Sequence, residues 1–110
     1  MEAMAIAPAE MIDAAFPVTE SDGRTRSREC TATRIGADGM EIRTEAVPAT
    51  RFAWLEFHIP GSGHRVKALG EVIACIAGEG ATRVILHFKH LFPRDRAALA
   101  HWLVAPRVAA

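Results

Sequence analysis

The stretch Arg51 to Pro60 alternates apolar and polar side chains with a period of two. Ala53, Leu55, Phe57 and Ile59 fall on one side, and Trp54, Glu56 and His58 on the other. A β-strand with one face against a core gives this register; a helix would spread the same residues around its axis. The alternation returns at Thr82 to Leu91, where Val84, Leu86 and Phe88 oppose Ile85, His87 and Lys89. Between these stretches, Pro60-Gly61-Ser62-Gly63 is a loop and Gly78-Glu79-Gly80 a hairpin turn. His64 to Ala77 carries apolar residues on both faces, as a barrel wall covered from outside requires, and Gly70 in its middle predicts a bend or bulge.

The upstream half reads as further short strands. Residues 1–15 form an N-terminal tail or the start of the first strand. Phe16-Pro17-Val18-Thr19 is short and apolar, and Pro17 lacks a ladder donor, so it predicts an edge strand or a strand's start. After the turn Ser21-Asp22-Gly23, Arg28, Cys30 and Ala32 oppose Glu29, Thr31 and Thr33. Extended backbone there would put Arg24, Arg26 and Arg28 on one face. Arg34 to Thr44 reads as a tight turn feeding a strand. Gly36 and Gly39 permit positive φ or close backbone approach, Asp38-Gly39 is a turn signal, and Met40 and Ile42 alternate with Glu41 and Arg43. Residues 46–49 break the pattern. Past Pro93 the period changes: Ala98, Leu99, Trp102 and Leu103 make a helical stripe. Pro93 suits the first turn, Asp95 favours the N-terminus through the macrodipole, and Pro106 ends the helix. Strands at turn-marked intervals followed by one helix predict an all-β domain over residues 16–105. Its expected form is a small antiparallel β-barrel with one C-terminal α-helix, followed by a tail at 106–110.

Chemistry is sparse. At 110 residues the chain makes one domain, and 13 basic residues balance 13 acidic ones, so no net field draws nucleic acid or an anionic membrane. No apolar run reaches the length of a membrane span, and residues 1–15 lack a basic leader region, so a cytoplasmic location is expected. Cys30 and Cys75 sit in apolar runs and read as buried free thiols. His87-x-x-His90 on a strand points its rings to opposite faces and neither cysteine has a C-x-x-C partner, so no metal site and no cofactor are expected. Ser62 has no placed base, and no phosphate loop or nucleophile elbow is present, so the chain reads as a non-enzyme. Arg24, Arg26, Arg28, Arg34 and Arg43 form either a basic patch near the barrel mouth or a solvated face partnered by Glu29, Glu41 and Glu45. Without interleaved aromatics they do not point to nucleic acid. Trp102 belongs to the helix stripe. Trp54 is expected under the terminal helix, with an exposed interaction anchor as the other option.

Arg34 to Thr44 resembles the second half of the PilZ-domain signature, Asp/Asn-x-Ser-x-x-Gly followed by a short amphipathic strand. Gly39 stands as the final glycine, Arg34 at the Asp/Asn position and Gly36 at the Ser position. Val72-Ile73-Ala74-Cys75 resembles the end of the family's Val-x-Trp strand, without the tryptophan. Val84 to Phe88 resembles its Gly-x-x-Phe strand, and the helix with Leu99 and Leu103 its closing helix. The likeness runs from Phe16 to Val104. It implies a bacterial β-barrel of a family in which many members bind cyclic di-GMP. The family's other motif, Arg-x-x-x-Arg, precedes the first strand, where its guanidinium groups stack on guanine and bond phosphate. No arginine lies upstream of Phe16, and Arg24-x-x-x-Arg28 has the spacing but follows the first strand. The resemblance therefore implies a degenerate member: a regulatory or adaptor domain that contacts a bacterial signalling, motility or pilus protein, with Arg43 and Trp54 as candidate contacts. The alternative is a cyclic di-GMP receptor using a rearranged set, Arg24, Arg26, Arg28 and Arg34 with Gly36 and Gly39. Arg34 is expected to fill the ligand space or to pair with Asp38 or Glu41.

Overall fold

A computed structural model describes residues 11–24, 26–45, 48 and 50–104. Six antiparallel strands and one helix follow in chain order: β1 (Ile12–Ser21), β2 (Ser27–Ile35), β3 (Gly39–Thr44), β4 (Phe52–His58), β5 (Arg65–Ala77), β6 (Thr82–Leu91) and α1 (Pro93–Val104). The sheet closes into a barrel in the order β1-β2-β3-β6-β5-β4. Two three-stranded meanders, β1–β3 and β4–β6, are thus joined edge to edge through β3–β6 and β1–β4. Closure pairs β3 with β6 along the whole of β3 and β1 with β4 over Thr19–Ser21, where an open sheet would leave both edges unpaired.

The alternating residues fill the interior. Leu55, Val84 and Leu86 are fully buried, Ile59 is 1% exposed, and Phe57 and Phe88 lie beside them, against Ile35, Met40 and Ile42 from the other meander. Gly70 faces the same interior: a Cβ there would lie 3.0 Å from Leu86 Cδ2 and 3.1 Å from Leu55 Cδ1. The register shifts between Leu69 and Gly70, as a bulge at this glycine predicts.

Three strand features differ from the sequence pattern. β1 begins at Ile12, within the stretch given as a tail or the start of the first strand, so Pro17, expected at an edge strand or a strand's start, lies inside a strand of a closed barrel. β1 meets β4 only over Thr19–Ser21, so one side of β1 at Pro17 lies outside the ladder, where a missing donor costs least. In β2, a register shift between Ala32 and Arg34 reverses the parity, so that Ile35 turns inward and Arg34 outward. A second shift, between Val72 and Ala74, carries β5 out of the barrel wall. Cys75 is consequently exposed, contrary to the buried thiol its apolar run suggested, while Cys30 is buried.

Helix α1 packs at the end of the barrel where β5 begins. Leu99 joins the core, with Ala98, Trp102 and Leu103 packed against it. Asp95 does more than favour the helix N-terminus. Its buried carboxylate accepts from His64 Nε2 at 2.8 Å and from the Lys67 backbone N–H at 3.2 Å, tying the first helical turn to the start of β5.

Candidate functional site

The β2–β3 turn sits at the helix end of the barrel. Gly36 N–H donates to the Gly39 carbonyl at 2.9 Å, and the Asp38 carbonyl accepts from Phe88 N–H at 2.7 Å, so the turn is fastened to β6. Gly36 and Gly39 are both buried. The left-handed glycines are Gly23, Gly61, Gly63 and Gly80, so neither Gly36 nor Gly39 uses the positive φ that the turn signal permits. Arg34 bonds neither expected carboxylate. Its Nη2 donates at 3.5 Å to the carbonyl of Met11, immediately before β1. Glu41, almost completely buried, instead accepts from Thr33 Oγ1 at 2.9 Å and lies 3.8 Å from Arg83. The register shift in β2 is the cause: it turns Arg34 outward toward β1.

The other arginines lie at the opposite end of β2. Asp22 Oδ1 accepts from the backbone N–H groups of Arg24 at 2.8 Å and Arg26 at 3.2 Å, and Asp22 N–H donates to the Arg26 carbonyl at 3.1 Å. The segment is therefore a turn, with Gly23 at φ 81°. Arg24, Arg26 and Arg28 do not line one extended face. Arg24 and Arg26 are exposed. Arg28 Nε bonds Glu20 Oε1 at 2.7 Å, and that carboxylate is buried. Glu20, Asp22, Arg26, Ser27, Arg28 and Thr50 line a cavity of about 120 Å³. From Arg28 to Arg34 the strand advances six residues, roughly 20 Å at the usual rise of ~3.3 Å per residue. The structure thus groups Arg24, Arg26 and Arg28 at one end, and Arg34, Gly36 and Gly39 at the other.

Arg43 lies on the outer wall of β3, directly opposite Arg83 of β6, and is exposed. Trp54 is half-buried, and its cover differs from the expected terminal helix. The Lys67 ammonium lies 5.2 Å from its ring centroid, and a Cβ on Gly23 would come within 3.0 Å of Cδ1. The cover is this lysine and the β1–β2 turn, whereas α1 packs where β5 begins. Burial raises the Cys30 thiol above its ordinary pKa, against a smaller lowering by a hydrogen bond with Thr44. Among the described residues no group of three metal-ligating side chains converges, and no helix is long and apolar enough to cross a membrane. The His64–Asp95 pair has no local sequence signal, because its members lie 31 residues apart.

No family model matches the sequence, and no curated protein matches it. Solved structures do match. The PilZ domain of CeSA from a cellulose-synthesizing bacterium superposes with a TM-score of 0.63 at 13% identity, covering 84% of this chain and 93% of that one. The fold is that of a PilZ domain. The Bacillus subtilis inhibitor of motility, MotI/DgrA, gives a TM-score of 0.71 at 13% identity over 94% of this chain and 51% of its own. Borreliella burgdorferi PlzA, solved in complex with c-di-GMP, gives 0.59 at 8% identity over 93% and 55%. The chain spans about half the length of MotI/DgrA and PlzA. The β2–β3 turn carries Arg34, Gly36 and Gly39, the residues on which the sequence resemblance rests.

Proposed function

We propose that this chain is a non-enzymatic PilZ-like regulatory domain that acts in the bacterial cytoplasm by contacting another protein, and that it does not bind cyclic di-GMP. The observation that carries this reading is the division of the arginines between the two ends of β2. Arg28 is bonded to buried Glu20, roughly 20 Å along the strand from Arg34. At the β2–β3 turn, Arg34 and Gly36 offer no carboxylate, amide or hydroxyl acceptor to a nucleotide. Losing several charge-assisted hydrogen bonds, each about 1.5–3 kcal/mol, lowers affinity by several powers of ten. A domain of this size without a catalytic constellation regulates by binding. The inhibitor of motility among the matching structures makes a motility, pilus or other signalling protein the kind of partner to seek.

Calorimetric titration with cyclic di-GMP tests the proposal. The expected result is no saturable heat. Micromolar or tighter binding that disappears in Arg28→Ala or Arg34→Ala would support a receptor with a rearranged arginine set instead. Affinity capture from the source bacterium, followed by mass spectrometry, then identifies the protein partner.

A further inference from the structure

Each strand is held to its neighbours by a backbone ladder, and the ladder closes on itself without α1. The helix is held differently. Among the described residues no backbone hydrogen bond joins it to a strand; its first bond, Arg96 N–H to the Phe92 carbonyl at 2.8 Å, stays within its own first turn. Asp95 and Leu99 are its buried residues. Ala98, Trp102 and Leu103 pack against the core from half-buried positions, and Trp102 and Leu103 have further partners. The helix meets the barrel chiefly at β5. Among the described residues, then, releasing α1 breaks contacts made by side chains, whereas releasing any strand breaks a ladder. Elements with few buried apolar contacts open at a lower free energy than the ladders beside them.

The contact with β5 is a specific clasp. β5 begins at Arg65, but its ladder with β6 begins only at Ala68, opposite Leu91. One residue later the chain leaves the sheet: Phe92 alone separates β6 from Pro93 and the helix, and it is 49% exposed. Arg65–Lys67 is paired with β4 on one side. On the other, Asp95 takes the place of a strand carbonyl. Its Oδ2 accepts from Lys67 N–H at 3.2 Å and its Oδ1 from His64 Nε2 at 2.8 Å. At this end of the barrel Phe57, Val66 and Leu91 are buried. We propose that α1 is a hinged lid, which turns at Phe92, is released at the Asp95 clasp, and lifts as a unit from a barrel that stays closed. Lifting uncovers the start of β5 and the apolar barrel end. The uncovered edge carries two charged side chains, Arg65 and Lys67, of the kind that guards strand edges against stray pairing.

The test is amide hydrogen exchange of the full chain, isotope-labelled, in a series of urea concentrations below the unfolding transition. The amides of α1 from Arg96 onward and the amide of Lys67 should exchange through one common opening. Their protection should be at least about tenfold lower than that of the ladder amides of β3 and β6. It should also depend less steeply on urea, because lifting a lid exposes less surface than unfolding the chain. Asp95→Asn, which loses the charge and one acceptor oxygen, should lower the protection of α1 and of Lys67 together, by about tenfold. Three results overturn the proposal. Equal protection and equal urea dependence for α1 and the ladders would make helix and barrel one cooperative unit. Fast exchange in α1 with Lys67 protected at ladder level would mean that the helix frays while the clasp stays shut. Unchanged protection of α1 in Asp95→Asn would place its restraint elsewhere. The measurement contains no nucleotide and no partner, so its outcome is separate from that of the adaptor reading.

Discussion

Replacing Asp95 by alanine tests how the helix is held to the barrel. The carboxylate is buried and accepts two bonds, from His64 Nε2 at 2.8 Å and Lys67 N–H at 3.2 Å. A bond to a charged acceptor contributes about 1.5–3 kcal/mol. The longer bond to Lys67, an exposed residue, contributes less, on the order of 0.5–1 kcal/mol, because water replaces the lost acceptor. The sum predicts a loss of about 2–4 kcal/mol in urea denaturation at unchanged slope. The variant Asp95→Asn keeps one acceptor oxygen in place of two and should recover about half of the loss. A double-mutant cycle with His64→Ala isolates the pair and should give a coupling of about 1–2 kcal/mol. A coupling below about 0.5 kcal/mol would refute the view that this bond fastens α1 to β5, and would leave helix docking to Leu99 and its apolar neighbours.

Further outcomes follow from the same geometry. Gly70→Ala puts a Cβ 3.2 Å from Leu86 Cβ as well as against both leucine methyl groups, and should destabilise by about 1–3 kcal/mol in thermal or urea unfolding. Under native conditions a thiol reagent should label Cys75 and spare Cys30, with Cys30 reacting only at the unfolding rate. Because the folded Cys30 pKa is raised, its contribution to stability is complete below the unfolded thiol's pKa and is lost as pH rises through and beyond that value. Cys30→Ala should therefore flatten the alkaline fall in stability. The double variant Arg34→Asp/Gly36→Ser, which restores the turn's acceptors, should still give no heat with cyclic di-GMP. The arginines at the far end of β2 do not reach the turn, and strong binding by this variant would mean that they do.

The strands were legible where side-chain alternation met glycine- or proline-marked turns. β6 was readable to the residue, β4 closely, and α1 from its stripe and Pro93. What escaped was set by backbone parity and by distant pairing. Register shifts in β2 and β5 move Arg34 and Cys75 to faces that simple alternation does not predict. Trp54 is covered by a turn and a lysine from other strands, and Asp95 meets a histidine 31 residues away, so no local pattern announces either contact. The candidate site was legible as residue types. That Arg24-x-x-x-Arg28 and Arg34 lie at opposite barrel ends depends on the strand between them being extended and nine residues long, which spacing alone leaves open.

The account turns on whether any nucleotide site survives. A titration of the isotope-labelled chain with cyclic di-GMP, followed by amide shifts in two-dimensional spectra, reads both ends of β2 at once. The account predicts no saturable shift at Arg34–Gly39 or at Asp22–Arg28. Saturable shifts at the β2–β3 turn, with micromolar affinity and loss in Arg34→Ala, would contradict it and make the domain a cyclic di-GMP receptor.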